Sequence, residues 1–509
     1  MNKKNWALLT VTAGTMLTNS CFVNKLEEKN TEKPNFLVIL VDDFGWKDLG
    51  CYGSSFYETP NIDQLAKQGV RFTNGYANCP VCSPTRASLQ TGKYPNRLGI
   101  TDWIKGRKHS TPNDRWLSAP NTYDLALSET TIGEVMKENG YKTFFAGKWH
   151  LGEDSAYWPE HQGYNINIGG WAKGSPNKNE KKGYNGYFTP YGNPRLEDGP
   201  TGEYLPERLT SETIKFINNN KNSSFFVCLC YYLVHIPLQG KENLIKKYED
   251  KRKKIGIDTI KEFVENPSWA KYATGHGNYR ERIVQGNPVY ASMVQSLDDN
   301  VGRILDLLKN TGLDKNTVII FTSDNGGLAD AEGSPTSNLP LRGGKGWLTE
   351  GGIREPYIFK YPGLKKPGYV NDMPVITMDI FPTILAFARI DQKPFKGLDG
   401  INLLPYLEDN KYPDRELFWH YPHYSNQGGD PGSVVRYGDY KLFYDIETGN
   451  YELFNLKTDI GETHDLTKEK PEIRAKLKKM LNNWKTEIHA KKMLPNPDWN
   501  SIDKVNITE

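Results

Sequence analysis

Four stretches of the chain are almost purely apolar and rich in β-branched or aromatic residues: Asn35 to Val41 (NFLVILV), Tyr141 to Ala146, Phe225 to Val234 (FFVCLCYYLV) and Thr317 to Thr322 (TVIIFT). Unbroken runs of this kind predict strands buried on both faces of a sheet, where every position is apolar, rather than half-exposed strands that alternate. Between them, apolar positions recur at helical spacing over Asn61 to Gln68, Thr131 to Asn139, Leu209 to Asn218 and Tyr290 to Lys309. In the last, Val294, Leu297, Val301, Ile304 and Leu308 fall along one face. Strands alternating with helices predict an α/β domain built on a mostly parallel central sheet flanked by helices. Each strand also stops in polar residues: Asp42-Asp43, Gly147-Lys148-Trp149-His150, His235-Ile236-Pro237 and Ser323-Asp324-Asn325-Gly326-Gly327. One such ending is an ordinary turn. Four together, beyond the carboxyl ends of strands where such sheets bind ligands, predict an active site.

From about residue 385 the pattern changes. Short aromatic strands over Glu416 to Tyr421, Ser433 to Arg436, Tyr440 to Tyr444 and Tyr451 to Asn455 are separated by turn residues, and Pro471 to His489 reads as one amphipathic helix. The expected organisation is a large α/β domain over residues 34–385 and a small α+β domain with an antiparallel sheet over 386–509. A chain of 509 residues exceeds what one core usually serves. At the other end, Lys3 and Lys4 precede a short apolar run from Trp6 to Leu17, the pattern of a signal peptide over 1–20. The run is too short to span a bilayer comfortably, and 21–33 has the polar composition of a tether. Cys21 resembles the lipidated cysteine of a bacterial lipoprotein, so export is expected, as a periplasmic or cell-surface lipoprotein with a lipid anchor or by simple secretion.

Composition narrows the partners. A formal net charge of +3 is too close to balance for a nucleic-acid partner. Six cysteines in so long a chain do not form a disulfide scaffold. Cys228 and Cys230 lie on an apolar strand and read as small buried hydrophobes. Cys79-Pro-Val-Cys82 is a C-x-x-C, consistent with a disulfide, a redox pair or half a metal site, but no second C-x-x-C exists to complete a zinc site.

Cys82 begins a longer pattern, Cys82-Ser83-Pro84-Thr85-Arg86-Ala87-Ser88-Leu89-Gln90-Thr91-Gly92. It closely resembles the signature of the type I sulfatases of the alkaline phosphatase superfamily. In that family Cys-x-Pro-x-Arg directs a maturation enzyme to oxidise the cysteine to formylglycine. The resemblance runs from Lys33 to the C-terminal helix, and what it implies is an alkaline-phosphatase-like fold and a sulfuric ester hydrolase. It also implies one calcium ion held by Asp42, Asp43, Asp324, Asn325 and the modified Cys82. Hard oxygen donors without a histidine or thiolate ligand suit calcium physically. By the same resemblance Arg86 steadies the formylglycine oxygens, Lys148 and Lys345 contact the sulfate, His150 acts as base at position 82, and His235 protonates the departing oxygen. Three cations around a tetrahedral anion oppose the charge that shifts in its transition state.

The segments Gly169-Gly170-Trp171 and Asn193 to Pro200 are similar to those of bacterial polysaccharide-degrading sulfatases acting on galactose or N-acetylgalactosamine, with a lean towards the O4 ester and exo action. Trp103, Trp171, Arg342, His420 and His423 are the candidates for the sugar subsite. Three other readings stay open. A phosphatase or phosphodiesterase of the superfamily relies on Ser or Thr with two zinc ions and extra histidines. A phosphonate monoester hydrolase also uses formylglycine. A surface glycan-binding protein would have lost catalysis, but each catalytic position of the pattern is present.

Overall fold

The computed structural model describes residues 33–107, 111–267 and 279–499. The signal peptide, Cys21 and all but the last residue of the tether lie outside the described residues. In chain order the central sheet takes β1 (Asn35–Val41), β2 (Val70–Tyr76), β3 (Lys142–Gly147), β4 (Ile166–Ile168), β5 (Phe225–Cys230), β6 (Thr317–Ser323), β7 (Arg354–Lys360), β8 (Tyr369–Asn371) and β9 (Val375–Ile376). Their spatial order is β8-β2-β7-β6-β1-β5-β3-β4, with β9 also on β2. The four strands expected from the apolar runs lie side by side, β6-β1-β5-β3, and pair in parallel. The sheet becomes mixed beyond them, because β7 runs antiparallel to both β6 and β2.

The main helices are α1 (Pro60–Gln68), α2 (Cys82–Thr91), α3 (Ile132–Glu138), α4 (Leu205–Asn219), α5 (Pro288–Thr311), α6 (Ile380–Ala388) and α7 (Pro471–Glu487). Along β1, Leu37, Ile39 and Val41 enter one core and Phe36, Val38 and Leu40 the other, so the two-residue period of a strand accounts for its unbroken apolar sequence. The first core is closed by α4 and α5 through Leu209, Phe216, Val294, Leu297 and Val301. The second is closed by α2, α3 and α6 through Ala87, Leu89, Val135, Met136 and Ile384. Helix limits follow local chemistry: α3 starts in a capping box of Thr131 and Glu134. At α5 the Asn287 side chain accepts from the Val289 and Tyr290 amides ahead of Pro288, and Gly312 at φ +73° ends the helix. No helix among the described residues is long and apolar enough to cross a membrane.

One predicted strand is shorter than its apolar run. β5 stops at Cys230, and Tyr231 to Val234 leave the sheet to clasp the end of β1. There the Asp42 amide donates to the Leu233 carbonyl (2.8 Å) and the Val234 amide to that of Asp42 (2.7 Å). Apolar composition persists past the strand because these residues are still buried in the first core.

The C-terminal strands β10 (Glu416–Tyr421), β11 (Gly432–Tyr437), β12 (Tyr440–Asp445) and β13 (Tyr451–Asn455) form an antiparallel meander. α7 packs against it, with Trp484 stacked on Phe418 at 4.8 Å. The core beneath this sheet also contains Tyr76, Cys79, Val81, Tyr94 and Ile353 from the larger part of the chain. Residues from Pro34 onward accordingly make one compact unit.

A buried ionic network ties the meander to the main sheet. Glu350 accepts from Tyr76 Oη (2.8 Å), Arg354 Nε (2.6 Å) and Lys441 Nζ (3.0 Å), while Lys441 also pairs with Glu462 at 2.8 Å. Burial opposes ionisation of Glu350, but Lys441, Arg354 and Arg436 hold its carboxyl down at about 2. Removing one member of such a network leaves buried charge uncompensated. Glu350→Ala is therefore expected to lower unfolding stability by about 3–5 kcal/mol, read by denaturant titration; a loss below about 1 kcal/mol, the range of a surface pair, would contradict this anchoring role.

Candidate active site

Because β1 and β6 are parallel neighbours in register, with Val41 opposite Ser323, their polar endings emerge side by side. The Asp324 amide donates to the Val41 carbonyl at 3.1 Å. The Asp43 amide donates to Asp324 Oδ1 at 3.2 Å, and Asn325 Nδ2 donates to Asp43 Oδ1 at 2.8 Å. Asp43 takes this position at φ +58°, a left-handed conformation that aspartate tolerates but that stores strain of the kind found at functional sites.

Each carboxylate meets a cation at hydrogen-bonding distance, and Asp42 also lies 3.6 Å from Arg86 Nη2. Lys148, just past β3, places Nζ 2.8 Å from both Asp42 oxygens. Lys345 places Nζ 2.8 Å from Asp43 Oδ2. Arg86, from the second turn of α2, sets Nη2 2.7 Å from Asp324 Oδ2 and Nη1 2.8 Å from the Lys148 carbonyl. Asp42, Asp43, Asp324, Arg86, Lys148 and Lys345 are all at most 3% exposed. Burial opposes charge on Asp42, Asp43, Arg86 and Lys345, and their neighbours decide the outcome. Asp43 is held below the ordinary carboxylate range by Lys345, His235 and Lys148. Arg86 and Lys345 are held above their usual values by the carboxylates beside them. Asp42 goes the other way, because burial and its acidic neighbours outweigh Lys148.

Cys82 is the first residue of α2, and the entire helix is buried. Its Sγ lies 3.4 Å from His150 Nδ1. His150 Nε2 faces the Ile104 carbonyl. A carbonyl only accepts, so Nε2 carries the proton and Nδ1 offers its lone pair towards position 82. Ser83 Oγ lies 3.2 Å from the same Nδ1 and 3.0 Å from the His150 carbonyl. His150 stands at φ +56°, and a Cβ on Gly174 would come within 2.3 Å of its ring, so only glycine lets that loop close over it. His235 Nδ1 lies 2.8 Å from the Ile236 carbonyl, which leaves Nε2 as the acceptor facing Lys345 Nζ at 3.1 Å. Burial and the Lys345 charge push His235 down to about 3. Cys79 and Cys82 are both free thiols.

Asp42, Asp43 and His235 bring ligand atoms within 4.8 Å of one another. The fit to a metal rests on oxygen donors, however. Asn325 Oδ1 is buried without a hydrogen-bond partner, an atom whose desolvation a cation would relieve. His235 Nε2 is engaged by Lys345. Asp42, Asp43, Asp324 and Asn325 together offer a donor set suited to a hard divalent ion.

Cys82, His150, His235 and Lys345 open into a pocket of about 230 Å3, closed by Trp103, Ile104, Gly174, Ser175, Glu332, Asn426 and Gln427. It is smaller than the roughly 300–1,000 Å3 of sites for drug-sized ligands. The profile of the sulfatase family matches residues 34–390 of this sequence. The chain belongs to the sulfatase family. A second profile, described as N-sulphoglucosamine sulphohydrolase, C-terminal, matches residues 344–487. Among curated relatives, a protein named sulfatase from Formosa agariphila is 31% identical over 90% of each chain. The N-acetylgalactosamine-6-sulfatase of Mus musculus is 32% identical over 84% of this chain and 75% of its own. The crystal structure of Ps i-CgsB superposes with a TM-score of 0.72 at 27% identity, covering 93% of this chain and 97% of that one. The alkaline-phosphatase-like α/β architecture with its smaller antiparallel sheet is thus the sulfatase fold, and the chain is a sulfuric ester hydrolase.

The sulfatase structure brings together every catalytic and metal residue expected from the sequence, but only one of the five sugar-subsite candidates reaches the pocket. Trp103 lines it. Trp171 packs against the second core and uses its carbonyl to accept from the His150 amide at 3.2 Å. Arg342 bonds the Glu462 carbonyl and Glu452 and lines a different cavity, of about 300 Å3, beside β12 and β13. His420 is spent on Ser433 Oγ and the Lys491 carbonyl, both at 2.8 Å. His423 is 1% exposed and bonded to Thr101 Oγ1 at 2.8 Å. Residues the sequence reading did not single out take their place: Ser175, Glu332, Asn426 and Gln427 stand in loops, where no periodicity marks them.

The two misplaced histidines have a measurable consequence. Burial pushes His420 down to about 4 and His423 to about 3, below the unfolded value near 6.5. The unfolded chain then binds more protons over that interval, so their stabilisation is complete above about pH 6.5 and is lost as pH falls. Thermal unfolding between pH 7 and 5 should show stability falling by up to roughly 1.4 kcal/mol per pH unit for each histidine, and His423→Gln should flatten the slope; an unchanged slope would contradict this reading.

Proposed function

We propose that this sulfatase hydrolyses sulfate esters of galactose or N-acetylgalactosamine residues at the ends of sulfated polysaccharides or glycosaminoglycans, using formylglycine at position 82 and one calcium ion. The observation that carries the reading is the convergence of Cys82, the unprotonated Nδ1 of His150 and the ammonium of Lys345 on one small pocket, with Lys148 and Arg86 behind it. A pocket of this size suits one sugar ring entering end-on. Burial pushes the Cys82 thiol up, the opposite of an activated thiolate, which speaks against direct attack by an unmodified thiol.

Formylglycine supplies a hydrated aldehyde, one hydroxyl of which can attack sulfur while the other later expels sulfate. Calcium, held by Asp42, Asp43, Asp324 and Asn325, supplies positive charge against the anionic ester. His150 receives a proton at Nδ1, the only face of its ring left free by the Ile104 carbonyl. Lys345 and Lys148 face the sulfate and oppose its charge. His235 is held neutral beside Lys345. An anionic ester between them offsets that repulsion, so His235 acts as acid towards the departing oxygen only with substrate in place.

The sugar preference rests on the paired segments Gly169 to Trp171 and Asn193 to Pro200, which the structure links through Asn193 Nδ2 to the Gly169 carbonyl at 3.0 Å. The relatives named N-acetylgalactosamine-6-sulfatase bring O6 esters in beside the O4 lean. Export through the leader over 1–20, with Cys21 as the lipid anchor, would set the enzyme where such polymers are found.

A panel of O4- and O6-sulfated galactose, N-acetylgalactosamine and glucosamine tests the reading. The matured enzyme is expected to release sulfate from a galacto-configured member, and Cys82→Ala to lower that turnover by at least roughly 10³-fold with the fold intact. Release confined to glucosamine sugars would overturn the preference, and full turnover by Cys82→Ala would overturn the mechanism.

A further inference from the structure

A carboxylate inside a pocket built for an anion needs an explanation, and Glu332 is such a group. It lines the same pocket as Cys82 and Lys345, and its charge is among those that raise Lys345. It sits at φ +52°, followed by Ser334 at φ +44°. Left-handed backbone at two non-glycine residues costs of order 1–3 kcal/mol each and persists only where the surroundings impose it. The surroundings here do so from both sides. The Arg282 amide bonds the Ala329 carbonyl at 2.7 Å, Arg282 Nε bonds the Ser334 carbonyl at 2.6 Å, and Thr336 Oγ1 bonds Asp48 at 2.8 Å.

The side chain is held as firmly as the backbone. Ser425 Oγ donates to Gln427 Oε1 at 2.8 Å, which fixes the Gln427 amide so that its Nε2 donates to Glu332 Oε1 at 2.6 Å. The second oxygen, Oε2, is buried with no protein partner. Leaving one carboxylate oxygen of a pocket residue desolvated and unpaired is costly unless a ligand completes it. The mechanism above makes no use of this group.

We propose that Glu332 reads the sugar: its Oε2 accepts a hydrogen bond from a ring hydroxyl of the sulfated residue, and its negative charge rejects sugars carrying a second sulfate or carboxylate at that position. Acceptance by a charged oxygen favours a hydroxyl over an apolar edge, and like-charge repulsion in a desolvated pocket supplies the rejection. Glu332 is a specificity residue on this account. The inference rests on the carbohydrate reading of the pocket.

The test compares the matured wild type with Glu332→Gln and Glu332→Ala on three substrates: the best monosulfated sugar of the panel, the same sugar with a second sulfate, and an aryl sulfate without ring hydroxyls. Wild-type turnover of the sugar against the aryl sulfate tests the underlying reading, and the variants test Glu332. Both variants are expected to lower the sugar-to-aryl ratio of kcat/KM about 10- to 100-fold, chiefly through KM, and to raise the disulfated-to-monosulfated ratio about tenfold or more. Unchanged ratios would overturn the proposal. So would equal losses on sugar and aryl sulfate, which would make Glu332 a structural or chemical element. Binding of the desulfated sugar to each variant, measured by calorimetry, gives a readout independent of turnover: it should weaken with the sugar-to-aryl ratio, and equal binding would overturn the hydroxyl contact.

Discussion

The structure depends on the burial of three carboxylates against three cations at the ends of β1 and β6. Stripping water from such groups costs several kcal/mol per ion, returned only if each finds a partner at hydrogen-bonding distance. Asp42 with Lys148, Asp43 with Lys345 and Asp324 with Arg86 meet that condition at 2.7–2.8 Å. They do so with residues from five separate parts of the chain. Much of the architecture serves this arrangement: two hydrophobic layers fix the parallel register of β1 and β6, the Leu233 and Val234 clasp fixes the Asp42 backbone, and buried α2 presents Arg86 and Cys82 to the same point. Six charges that sum to zero also leave the centre ready for change. A divalent cation held among the carboxylates would make the site positive and leave the lysines placed to meet an anion.

Of the residues that meet at the site, Asp42, Asp43, Lys148, His150, His235, Asp324 and Asn325 were legible twice over, by an abrupt change from apolar to polar at the end of an apolar run and by a motif, while Cys82, Arg86 and Lys345 were marked by motif alone. The central strands were legible because burial on both faces removes polar positions altogether. β7 was not, since Arg354 and Glu355 are buried within it and Arg354 is committed to the Glu350 network, so its sequence looks like a charged loop. The tail of the third apolar run misled in the opposite sense: Tyr231 to Val234 are apolar because they are buried, not because they are strand. The loops that line the pocket were least legible. A tryptophan or histidine in a loop looks alike whether it faces a ligand or, as with Trp171 and His423, packs away from it. Glu332 and Gln427 are positioned by a backbone conformation and a chain of hydrogen bonds that no spacing reveals.

The C-terminal meander is more than an appendage. Its core is shared with Tyr76, Cys79 and Val81, which lead directly into Cys82, and the loop after β10 contributes Asn426 and Gln427 to the catalytic pocket. The Gly346 amide bonds the Pro80 carbonyl at 2.8 Å, so the segment before Cys82 and the one after Lys345 are held to each other. Variation in the loop between β10 and β11 therefore changes the lining of this pocket while the charge centre stays in place.

The chemistry proposed for this site turns on the chemical state of position 82. Peptide mass spectrometry across Cys82 of the protein matured in its native host reads that state directly. The mass of an aldehyde or its hydrate in place of the thiol is the predicted result; an unmodified thiol in catalytically competent protein from that host would contradict the account.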